Sequence, residues 1–147
     1  MKKFEFSLSS VQRYREQTLD LVKMEYAAAV GAVAEQKGKI DTLKASFREM
    51  NSEFKEKNNE GISITEIQNV KLYLMSLQEL IDSEVIKLAK LESEAESIKE
   101  RMISAKVDSA SIDILKDKQQ AEYNAAVKKS EDSFIEEFIS SKMHRSS

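Results

Sequence analysis

Along most of this chain, apolar residues recur at alternating intervals of three and four. One series runs through Tyr26, Ala29, Val33, Gln36, Ile40, Leu43, Phe47, Met50 and Phe54. A second runs through Ile67, Val70, Leu74, Leu77, Ile81, Glu84, Leu88, Leu91, Ala95, Ile98, Met102, Ala105, Ser109 and Ile112. An average interval of about 3.5 residues keeps one stripe of a supercoiling helix turned toward a partner. The pattern therefore predicts an all-α protein, a long antiparallel two-helix coiled-coil hairpin.

Turn and cap chemistry sets the boundaries. Ser9 or Ser10 can cap the first helix, and Leu8, Val11, Thr18 or Leu19, and Val22 extend its stripe toward the N-terminus with one slip. Asn58 and Asn59 end it, and Gly61 supplies the left-handed residue of the exit. Ser63 or Thr65 caps the second helix, with Glu66 three residues after Ser63 as in a capping box. The expectation is one coiled-coil domain over 1–147, with helix one at about 10–57, a turn at about 58–64 and helix two at about 65–140. Asp108-Ser109-Ala110-Ser111 is a weak spot, but it has no proline or glycine, so the second helix reads as continuous. Met143 to Ser147 should fray.

A turn centred near Ile62 pairs Phe54 with Val70, Leu43 with Ile81 and Val33 with Leu91, and brings Leu8 near Lys116. Helix two should then overhang helix one by ~25 residues, or ~37 Å. Gln36 and Glu84 are polar seam positions in adjacent layers, a device that fixes register at some cost in stability.

Composition narrows the function. There is no proline, cysteine or tryptophan, and 33% of residues are charged. A two-helix seam of this kind is a rod with almost no interior, which makes protein binding rather than catalysis the expectation. The net charge of −3 comes from 23 basic and 26 acidic residues spread along the chain. Phosphate binding wants a concentrated basic face instead, so no nucleic acid is expected. Without cysteine there is neither a disulfide framework nor a thiolate zinc site. Met1-Lys2-Lys3 is followed by Phe4-Glu5-Phe6-Ser7, which is no signal-peptide core, and no run approaches the ~20 apolar residues of a spanning helix. The reading is a soluble, intracellular protein, monomeric as an antiparallel hairpin.

Residues for chemistry are scarce. The single histidine, His144, sits in the expected frayed tail without a second shell to orient it. Glu92, Glu94, Glu96 and Glu100 lie on exposed helix, where no pocket separates their pKa values. Gly31, Gly38 and Gly61 form no phosphate loop. No cofactor, metal or small-molecule substrate is expected, and the protein reads as no enzyme.

Apolar residues in excess of the seam are more informative. Leu72, Tyr73, Met75, Leu80, Val85 and Ile86 crowd the start of helix two, as a wider packing face, a self-association surface or a docking patch. Phe4, Phe6 and Leu8 precede helix one, while Tyr123, Phe134, Ile135, Phe138 and Ile139 crowd the overhang. These residues either staple the N-terminal segment to helix two or present Phe134 and Phe138, four apart, as a helix-in-groove ligand.

The opening Phe4-x-Phe6-x-Leu8-x-x-Val11-x-x-Tyr14-Arg15 resembles that of the FliJ family of flagellar export proteins. The likeness continues through Tyr73, Leu77, Leu88, Leu91, Glu92, Arg101 and Ala105. It resumes in Ile112-x-x-Leu115-Lys116-x-Lys118-x-x-x-x-Tyr123, Glu131 and Glu136-Glu137-Phe138. Asp108-Ser109-Ala110-Ser111 departs from it, being less basic. The resemblance implies a non-enzymatic coiled-coil accessory of the flagellar type III export apparatus, held at the cytoplasmic face of the membrane through that apparatus. It implies a stalk-like protein that binds and stimulates a hexameric export ATPase, contacts the transmembrane export-gate protein and escorts export chaperones. On that reading Phe4, Phe6, Leu8, Arg13, Arg15, Tyr123, Phe134 and Phe138 face the ATPase, and Tyr73, Leu77, Leu80 and Glu84 face the gate. The alternative is a generic coiled-coil scaffold, or a holdase-type chaperone that grips unfolded clients at its open end.

Overall fold

A computed structural model describes residues 2–146, Ser146 by its backbone alone. The chain is all-α, with two long helices packed against each other: α1, Ser9–Glu60, and α2, Ile64–Ser146.

Local chemistry explains three of the four helix ends. At the start of α2 the Glu66 amide donates to the Ser63 hydroxyl at 3.1 Å. The Ile67 amide donates to the Ser63 carbonyl, so Ser63 occupies the expected cap position. Gly61 follows α1 with a φ of 91°, a conformation that costs any residue with a Cβ. The cap of α1 differs from expectation. The Gln12 amide donates to the Leu8 carbonyl at 2.9 Å, and the Ser9 amide reaches back to the Phe6 carbonyl at 3.1 Å. Leu8 therefore caps the helix through its backbone, and the two serines fall inside the first turn.

Both C-terminal ends run further than expected. α1 passes through Asn58 and Asn59 to Glu60, and α2 reaches Ser146 in place of fraying from Met143. Nothing after Gly61 breaks a helix, and His144 and Arg145 stand in the last turn, where positive charge complements the helix dipole. α2 also runs unbroken through the weak spot, where the Ser111 hydroxyl donates to the Val107 carbonyl one turn back.

Two compact units group these residues: Val22–Met102, and Met1–Leu21 with Ile103–Ser147. In the first, every residue of the two expected stripes is buried or half-buried. Val22, Ile40, Leu77 and Ile81 lie deepest, together with the carboxylate of Glu84. In the second, Phe6, Ala105 and Ser109 are buried. Here the seam departs from the expected stripe at Val11. Val11 is exposed, while Leu8, Gln12, Arg15, Leu19 and Val22 keep the three-four alternation. The two polar members are matched from α2: Gln12 donates to Asp113 at 2.9 Å, and Arg15 pairs with Asp108 at 2.6 Å.

Candidate partner-binding surfaces

Each of the two units presents one candidate surface. In the unit containing both termini, the segment 2–8 is not helical and lies along α2. Phe6 is buried, the Phe4 ring stands 5.5 Å from that of Tyr123 at a tilt of 51°, and the Tyr123 hydroxyl donates to the Lys2 carbonyl. Of the two readings open for Phe4, Phe6 and Leu8, the geometry is that of a staple. This corrects the length of the overhang. α2 is covered beyond Lys116 as far as Tyr123, and the fully exposed part begins after Val127. Residues 128–145 then span roughly five turns, or about 27 Å.

On that stretch Phe134 is 69% exposed and Phe138 60% exposed, with Ile135, Ile139 and Met143 beside them. Residues four apart lie one above the other, so the two phenylalanines make one ridge and the isoleucines the next. Ser130 and Glu131 share a shallow hollow with Phe134 and Ile135. Arg13 is exposed near the start of α1, whereas Arg15 has its charge engaged by Asp108. Asp108 belongs to the Asp108-Ser109-Ala110-Ser111 weak spot, where it serves an internal ion pair.

The second surface lies on the unit Val22–Met102. Tyr73 and Leu80, 49% and 44% exposed, border a groove between α1 and α2 with Leu43, Ser46, Ser76 and Leu77. Leu77 is buried and forms its floor. Glu84 is not on this surface at all. It is 2% exposed and accepts a hydrogen bond from Gln36 Nε2 at 2.5 Å; Lys39 Nζ and Lys87 Nζ stand 3.4 and 3.3 Å from its Oε1. The amide hydrogen bond holds its carboxyl below the ordinary value of 4.5, against burial, which pushes it up; the two lysines add to the lowering. Gln36 also donates to the Glu84 carbonyl at 2.9 Å. Two of the four residues expected to face a gate are thus interior, because 77 and 84 are seam positions seven apart, whereas 73 and 80, also seven apart, flank the seam.

The off-seam cluster divides between faces. Leu72, Met75 and Ile86 are strongly exposed and, at intervals of three and eleven, share a row on the far side of α2 from the groove. Sequence reasoning missed Gln12, Asp113, Lys39 and Lys87. For Gln12 the signal was present: it stands four residues after Leu8 and three before Arg15.

No group of histidine, cysteine, aspartate and glutamate among the described residues could hold a metal ion. None of their helices is long and apolar enough to cross a membrane. The profile of a family described as "Flagellar FliJ protein" matches residues 4–147. The chain belongs to the FliJ family. FliJ proteins are non-catalytic components of the flagellar export apparatus, which makes this chain a protein of that apparatus. No curated protein and no solved structure matches it. The FliJ match spans both units and therefore includes both candidate surfaces.

Proposed function

We propose that this FliJ-family protein is a non-enzymatic accessory that binds the hexameric export ATPase and stimulates its hydrolysis. It does so as a monomer, through the exposed stretch of α2. The observation that carries this reading is the pair Phe134 and Phe138, displayed on a stretch of α2 where both rings are strongly exposed. An apolar ridge on a single helix is the form that fits between packed elements of a partner, and large aromatics dominate such contacts. The groove bordered by Tyr73 and Leu80 contacts the export gate. Buried Leu77 forms the floor of that groove. Escort of export chaperones belongs to the same assembly at the cytoplasmic face of the membrane.

The test uses the purified full chain with the flagellar export ATPase. Phe134→Ala with Phe138→Ala is expected to lower affinity by at least tenfold, since a single aromatic anchor is worth about 2 kcal/mol. Stimulation should fall with it while helicity is kept. Tyr73→Ala with Leu80→Ala should leave stimulation intact and impair motility. Normal stimulation by the first variant and loss with the second would reverse the assignment of the two surfaces.

A further inference from the structure

The staple at the N-terminus occupies one end of a longer apolar row. Tyr123, Val127, Phe134 and Phe138 follow one another at intervals of four, seven and four, so they line one side of α2. Phe134 and Phe138 are open, Val127 is half-buried, and Tyr123 is covered by Phe4 and hydrogen-bonded to Lys2. Any helix or loop that lies along this row from its open end runs into residues 2–8.

Those residues are held lightly. They form no helix; Phe6 is buried and Phe4 and Leu8 half-buried, and one ring contact and one hydroxyl bond join them to Tyr123. Within the segment only the Phe6 and Leu8 carbonyls, at its junction with α1, accept from the helix, from the amides of Ser9 and Gln12. The turn from Phe6 to Ser9, closed by the Ser9 amide, is the pivot on which the segment would swing. Segments with few buried contacts and no regular structure open locally without global unfolding.

We propose that residues 2–8 are a displaceable strap, and that the partner of the exposed stretch takes the strap's place on Tyr123. The inference rests on the reading above, in which that partner is the export ATPase. The strap competes with the partner for one apolar face, so the free chain holds its binding row partly closed. A competing closed state lowers apparent affinity by the fraction of molecules it occupies. Phe4 and Phe6 then act in the opposite sense to contact residues: removing them favours the complex.

The chain has no native cysteine, and Lys3 and Ala126 are both exposed. Lys3→Cys with Ala126→Cys, spin-labelled in the full chain, gives the strap-to-helix distance by pulsed paramagnetic resonance. The free protein is expected to show a narrow, short distance as its main component; saturation with the export ATPase should replace it with a broad, long distribution. A complex that forms with the short distance unchanged overturns the strap and leaves the functional reading standing. Failure to form any complex overturns both. In parallel, Phe6→Ala should tighten binding by about threefold or more, the gain from removing a competing state populated two-thirds of the time. Weaker binding with α-helical circular dichroism intact would make Phe6 a direct contact and sink the proposal. If Phe6→Ala loses helicity, Lys2→Gly with Lys3→Gly, which loosens the strap and leaves its aromatic anchor in place, is read by the same criterion.

Discussion

At the residue scale, Glu84 is the most constrained side chain of the seam. A carboxylate at an apolar stripe position is costly unless its charge is paired and its oxygens are bonded. Gln36, Lys39 and Lys87 supply both. Because Gln36 also bonds the Glu84 carbonyl, side chain and backbone fix the same layer, and a register slip would strand the charge. The folded carboxyl keeps its charge to lower pH than the unfolded one. The unfolded chain therefore binds more protons through that window, and stability rises with pH. The contribution is complete above about pH 4.5 and fades as pH falls through the depressed folded value. Melting temperatures of the wild type and Glu84→Gln should thus differ by a constant amount at neutral pH and converge below about pH 4.5. A gap that widens on acidification would contradict the assigned direction. Arg15 and Asp108 form the corresponding polar layer in the other unit, but both are partly exposed, so Asp108→Asn should cost less than about 1 kcal/mol in chemical denaturation.

At the scale of elements, the helices respond to substitution according to position within them. An added Cβ at Gly31 or Gly38 meets nothing within 4 Å, and both lie inside α1. Gly31→Ala and Gly38→Ala should each stabilise by about 0.5–1 kcal/mol, because alanine loses less backbone entropy in a helix. Gly61 also has open space around it, yet its φ of 91° disfavours a side chain, and Gly61→Ala should destabilise by about 1 kcal/mol. Urea denaturation of the three variants checks the opposed signs. In the seam, Leu77 is buried and Leu43 only half-buried. Leu77→Asp should cost about 3–5 kcal/mol as an uncompensated buried charge, and Leu43→Asp distinctly less. Equal losses would mean that water reaches both positions alike.

At the scale of the whole molecule, stability and partner binding draw on different stretches of α2. Residues 131–145 are all exposed, so truncation after Val127 removes little buried area. The shortened protein should keep its melting temperature to within about 2 °C, because a change below about 0.5 kcal/mol shifts a domain of this size by no more than that. Its stimulation of the export ATPase should be lost. A large drop in melting temperature would place structural contacts on the stretch assigned to the partner.

The stripe periodicity by itself determined two helices, their antiparallel pairing and each seam position from Tyr26 to Ile112, because a spacing of about 3.5 residues leaves one face to bury. Ser63 and Gly61 likewise announced the turn, since their conformational needs are local. Three features awaited the tertiary structure. The seam near the N-terminus passes through Gln12 and Arg15 rather than Val11, and polar residues are acceptable there only because Asp113 and Asp108 stand opposite. Glu84 could be placed in the seam from spacing, but not paired with lysines one layer away on α1 and three residues along α2. The aromatic opening of the chain could be read as a partner surface or a staple with equal justice. Only the packing of Phe6, and of Phe4 on Tyr123, decided for the staple. The first and third depend on side chains that meet across more than ninety residues of sequence, the second on Gln36 and Glu84 meeting across 48, and no local rule encodes such meetings.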